Sequence, residues 1–107
     1  MPKLTDIRKL VKVVLPSFEG SEIMIYDGMR FGDLTELDKA KTDMERGLIA
    51  LQLLIKDWNF TDENDKKLEV TVENLKLLPF KDLTLLLEKI SGFFTKLKKE
   101  SEKLSKN

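Results

Sequence analysis

The chain has 107 residues, 19 basic and 19 acidic side chains, and neither histidine nor cysteine. That length points to one domain with a core large enough to need no metal or disulfide, while the missing thiols and imidazoles exclude cysteine nucleophiles, thiolate zinc sites and any Ser-His-Asp arrangement. Balanced charge argues against a nucleic-acid binder, whose phosphate contacts require a basic excess.

At the start, Lys3, Asp6, Arg8, Lys9 and Lys12 interrupt the apolar residues, unlike the unbroken apolar centre of a signal peptide. No apolar run reaches the roughly 18 residues of a membrane span. A cytoplasmic protein without a cofactor is expected. Leu4, Ile7, Leu10, Val11 and Val14 recur at helical spacing, yet residues 11–15 are rich in β-branched side chains. The reading is a short helix or coil, then a strand near 10–15. Pro16 and Gly20 bracket a loop, and residues 22–26 read as a second strand ended by Asp27-Gly28. The two strands predict a hairpin over about 10–27, which must pack on helices to be stable.

Helices are expected over about 33–58. Asp33 suits an N-cap, with Glu36 three residues on, and Thr42 with Glu45 forms a second capping box. The segment is therefore two helices or one long one. Its part from 43 to 58 is the strongest helix in the chain, with Met44, Leu48, Leu51, Ile55 and Trp58 on one stripe. A polar loop follows, and residues 68–71 are briefly extended. Thr71 caps a short helix over 71–78, and Pro79 suits the first turn of a last helix over 79–97. That helix carries Leu83, Leu86, Leu87, Ile90, Phe93, Phe94 and Leu97 on one face. Residues 98–107, mostly Lys, Glu and Ser, are expected to fray. The predicted fold class is mainly α: a small helical domain of three to four helices with a short N-terminal β-hairpin.

Few constellations suggest chemistry. A calcium loop counted from Asp57 would need Gly at its sixth position and Glu at its twelfth, where Asp62 and Leu68 stand. The five glycines are scattered and form no phosphate-cradling loop. Lys96, Lys98, Lys99, Lys103 and Lys106 are diluted by Glu100 and Glu102. They read as a solubilising tail, with a small nucleic-acid-associated regulator as the alternative. The central helix adds Ile49 and Leu53 on the side away from its main stripe. These two are either covered by the protein's own chain or meet another molecule. Phe93, Phe94 and Leu97 run beyond the elements available to cover them. Ile49, Leu53, Phe93, Phe94 and Leu97 are thus the candidate protein-interaction residues, and no catalytic or metal-binding residue is expected.

Two stretches carry a resemblance. The first runs from Val13 through Leu15-Pro16-Ser17-Phe18-Glu19-Gly20 and Ile23 to Ile25-Tyr26, then Phe31-Gly32-Asp33-Leu34. The second is Ile55-Lys56-Asp57-Trp58-Asn59-Phe60-Thr61-Asp62-Glu63-Asn64, continuing through Thr71-Val72-Glu73-Asn74 to Leu78-Pro79. Together they resemble the tail assembly chaperones of long-tailed bacteriophages and prophages. Phe18 stands where that family would carry Trp, and Asn64-Asp65 stands where Gly is common. The resemblance implies a non-catalytic protein of the host bacterial cytoplasm, absent from the mature virion. Its implied partners are the tape measure protein and the tail tube protein. A homo-oligomeric adaptor is the other reading from the residues, without membrane or nucleic-acid contact.

Overall fold

The computed structural model describes residues 3–105, with side chains through Gly92. Strand β1 (Leu10–Val13) pairs antiparallel with β2 (Ile23–Tyr26), setting Val13 against Ile23 and Leu10 against Tyr26. Alternation does the sorting here: Val13, Leu15, Ile23 and Ile25 are buried, while Leu10, Lys12 and Val14 face outward. The connecting loop turns at Gly20, whose φ of +79° suits a residue without Cβ, and the Ser21 hydroxyl accepts the Leu15 N–H at 2.8 Å.

The molecule is not mainly α. Its sheet has a third strand, β3 (Ile55–Trp58), giving the antiparallel order β1-β2-β3 beside four helices. The helices expected across 33–58 are α1 (Phe31–Leu37) and α2 (Asp43–Leu54), and the end of that range forms this strand instead. A bulge explains the disguise. Ile25 faces Ile55, but Met24 faces Asp57 and Ile23 faces Trp58, so Lys56 is an extra residue in the ladder. In a regular strand, residues three apart point to opposite faces. The bulge turns both Ile55 and Trp58 into the core, which is also what a helix does with residues three apart. Apolar spacing was therefore compatible with either element.

Local chemistry sets the helix starts. Asp33, read as an N-cap, instead occupies the third position of α1 and accepts the Arg30 N–H at 3.0 Å. Thr42 accepts the Glu45 N–H at 3.1 Å to open α2. Helix α2 passes straight into β3 at Ile55, whose backbone is already extended. Two more helices follow, α3 (Val72–Leu75) and α4 (Phe80–Ser105). The expected charged tail, 98–107, falls beyond the described side chains.

Helix α2 contacts α1, α3, α4 and β3. Leu48, Leu51 and Leu54 of α2 share one buried cluster with the sheet residues, Leu75, Leu83, Leu86 and Ile90. Each such side chain contributes about 1.5–3 kcal/mol through burial. Gly47 lets α2 and α4 approach, since a Cβ there would lie 2.8 Å from Leu87 Cδ2. Among the described residues, no helix is long and apolar enough to cross a membrane.

The segment before β1 is tied down by Arg8. Its guanidinium forks onto Asp6 at 2.9 and 2.7 Å, donates to the Gly28 carbonyl at 2.9 Å and lies 3.5 Å from the buried Asp33. It also stacks 3.8 Å from the Tyr26 ring centre. Arg8 thus balances the buried Asp33 carboxylate together with Arg30, whose Nε lies 3.9 Å from the same oxygen. Arg8→Ala is expected to lower stability by about 3 kcal/mol in urea denaturation, and Arg8→Lys to recover little, because a lysine has no fork.

The same fork holds the Asp6 carboxyl well below the usual carboxylate range, chiefly through its hydrogen bond from Arg8. A depressed folded value means that this contribution is complete above the unfolded value and disappears only as pH falls through the lower folded one. An NMR titration should therefore find the Asp6 midpoint below the ordinary 3.8, returning towards 3.8 in Arg8→Ala. An ordinary midpoint in the wild type would show that the fork does not persist in solution.

Candidate protein-binding surface

Pairing of β3 with β2 delivers Trp58, Asn59 and Phe60 to the loop after β1. Asn59 locks the two together. Its N–H donates to Glu22 O at 3.2 Å, its Oδ1 accepts the Glu22 N–H at 2.8 Å, and its Nδ2 donates to Gly20 O at 2.9 Å. Phe60 then meets Phe18 and Trp58 edge to face, with centroids 5.2 Å apart in each pair.

The next stretch forms the facing wall. Trp58 Nε1 donates to Leu68 O at 2.8 Å, and the Leu68 N–H donates to Phe60 O at 3.0 Å. Between them a tight turn bridges Thr61 and Lys67. Asp62 Oδ1 accepts the N–H groups of Asn64 (2.8 Å) and Lys66 (3.0 Å), so this carboxylate is a turn-former. Asp65 completes the turn at a left-handed φ of 61°. Thr71 caps α3 through the Asn74 N–H at 3.1 Å, while Asn74 Nδ2 reaches back to Glu69 O at 2.7 Å.

The product is an open groove of about 490 Å³ lined by Phe18, Trp58, Phe60, Leu68, Leu77 and Leu78, with Asp62 and Glu63 on its lining. Leu77 is 72% exposed, and Phe80, three residues on, is 76% exposed. The four-residue α3 turns Leu75 into the core and half-buries Leu78, which leaves Leu77 pointing out. A contiguous apolar surface of this kind commonly marks an interaction site.

Of the residues expected to meet a partner, Ile49 and Leu53 do not line this groove. Ile49 and Leu53 are partly buried and pack against the core, so the protein's own chain covers much of them. Met44, expected on the inner stripe of α2, is 49% exposed. Phe93, Phe94 and Leu97 belong to the part of α4 outside the described side chains. Sequence reasoning missed Phe18, Leu77 and Phe80. The run Leu77-Leu78-Pro79-Phe80 was a usable signal, because a proline break inside an apolar run leaves part of it without a helix face to join.

The groove's lining is mainly apolar. Of its acids, Asp62 serves the turn, and nearby Asp57 is engaged by Lys67 at 2.6 Å, a hydrogen bond that holds its carboxyl below the usual range. Among the described residues, no group of three or more acidic side chains is arranged to hold a metal ion.

Burial separates core from interface in a simple comparison. Leu53→Ser is expected to lower stability by about 2 kcal/mol, whereas Leu77→Ser should stay within about 0.5 kcal/mol of the wild type in the same denaturation experiment. The reverse order would show that Leu77, rather than Leu53, is held by the core.

Compared with known proteins, the chain matches no family model, no curated protein and no solved structure.

Proposed function

We propose that the protein is a non-catalytic assembly chaperone, with the tape measure protein of a long-tailed phage as its client and the tail tube protein as a second contact during morphogenesis. The observation that carries this reading is the open aromatic groove with Leu77 and Phe80 exposed beside it. The residues behind the chaperone resemblance, the Pro-x-Phe-x-Gly loop, the Trp-Asn pair and the Thr71 cap, are those that build its walls.

The mechanism follows from the groove's chemistry. A long helical client presents apolar side chains at i, i+3, i+4 and i+7, which aggregate if left in water. Phe18 and Phe60 are half-buried and held edge to face, with Trp58 packed beneath them and fixed by the Leu68 bond, so they contribute contact area at little entropic cost. Asp62 and Glu63 favour a client helix flanked by lysines. The groove stays open on one side, so the client remains displaceable when the tube closes around it. The chaperone thus acts in the bacterial cytoplasm and is left out of the finished tail.

Co-expression tests the reading. The wild-type chain should keep a co-expressed tape measure protein in the soluble fraction and co-purify with it. Phe18→Ala combined with Leu77→Asp should weaken that complex at least about tenfold, with the chaperone still folded. A tape measure protein equally soluble with or without this chain would overturn the assignment.

A further inference from the structure

We propose that the same groove receives the C-terminal end of α4 from a second copy of the chain. The inference rests on the groove being the working surface, as the chaperone reading has it, but names a different occupant. The groove's lining carries two charged side chains, Asp62 and Glu63, and both are acidic. The chain's own C-terminal sequence is the complement. Residues 93–107 hold five lysines against two glutamates, together with Phe93, Phe94, Leu97 and Leu104.

Spacing organises these residues further. Phe93, Leu97 and Leu104 recur at i, i+4 and i+11, which places them on one helical edge. Lys96, Lys99 and Lys103 recur at i, i+3 and i+7 along the adjoining edge. An apolar edge flanked by lysines suits an aromatic groove flanked by carboxylates. The occupant must come from another molecule. Helix α4 starts at Phe80, next to the groove, and a rise of about 1.5 Å per residue carries Leu97 about 26 Å away along the axis. An unbroken α4 cannot fold back on its own origin. Mutual exchange of the two ends about a two-fold axis closes a dimer and covers both grooves. Such a dimer shields the aromatic surface until a client displaces the exchanged ends.

Sedimentation and the sole tryptophan, Trp58 in the groove wall, test this on the full chain. The wild type should form a dimer whose dissociation midpoint rises with salt, since the lysine–carboxylate contacts are screened. Leu77→Asp, at an exposed position, and the triple variant Lys96→Glu, Lys99→Glu, Lys103→Glu should each shift that midpoint at least about tenfold towards monomer while the circular dichroism spectrum of the native state stays that of the wild type. A synthetic peptide of residues 90–107 should then change the Trp58 emission of the triple variant saturably, and not that of Leu77→Asp. Because the triple variant keeps its groove, it should bind client as well as the wild type or better. Loss of client binding alone would therefore condemn the chaperone reading and leave the exchanged dimer standing. A wild type that stays monomeric, a dimer indifferent to either variant, or a peptide without effect on Trp58 would each overturn the exchange.

Discussion

The pairing of β2 with β3 across the bulge at Lys56 organises this molecule. β2 is the central strand, so its backbone groups need a partner on both sides. β3 supplies one of them, and the bulge then aims Ile55 and Trp58 inward together. Two consequences follow from this register. Ile55 and Trp58 close the sheet side of the core under α2. The chain leaving β3 also arrives at the 16–20 loop with Asn59 in position to bond Gly20 and Glu22, which brings Phe60 against Phe18. Without the extra residue, the side chains after Met24 would be offset by one and Ile55 would face solvent. The aromatic wall of the groove is thus a downstream result of one irregularity in a ladder.

That irregularity also marks the limit of what the sequence discloses. Caps are legible because donor and acceptor lie within a few residues of each other: Thr42 with Glu45, and Thr71 with Asn74. The β1–β2 hairpin is legible for the same reason, through alternation and a proline–glycine loop. β3 was not, since no proline or glycine separates Leu54 from Ile55 and apolar spacing of three fits a helix. What decided the matter was the free edge of β2, some thirty residues earlier in the chain. Tertiary pairing overrode a local pattern, as is common for strands. Exposure is hard to read from sequence for a related reason. Ile49 and Leu53 look superfluous on an isolated helical wheel, but α2 is surrounded by other elements and uses them. Leu77 looks like an ordinary helix residue until α3 proves to be one turn long.

The Arg8 cluster and the groove differ in how completely their polar groups are satisfied. Around Arg8, each carboxylate meets the guanidinium or a backbone amide, and the guanidinium meets carboxylates, a carbonyl and a ring. Such a cluster costs desolvation but leaves nothing unpaired, so it fixes the segment before β1 in one arrangement. The groove region is less settled. Asp65 holds a left-handed backbone that glycine would adopt more easily, and Leu77 and Phe80 remain exposed.

Asp82 extends this contrast beneath the surface. It is fully buried at the third position of α4, where a carboxylate is favoured by the helix dipole. Its Oδ1 accepts the Ser17 N–H at 3.2 Å, but its Oδ2 has no hydrogen-bond partner among the described residues. In a capping box that second oxygen would accept the N–H of the N-cap residue. Here Pro79 holds that place, since its carbonyl accepts the Leu83 N–H at 3.0 Å, and proline has no N–H to give. An orphaned buried acceptor costs roughly 1–3 kcal/mol. Selection for stability alone would remove it by changing either residue. Both serve the groove as they stand: Pro79 separates α3 from α4 and so sets out Leu77 and Phe80, and Asp82 anchors the loop that presents Phe18. The strained turn, the orphaned oxygen and the exposed apolar side chains surround one surface, and their concentration there fits a region shaped for binding at some expense of stability.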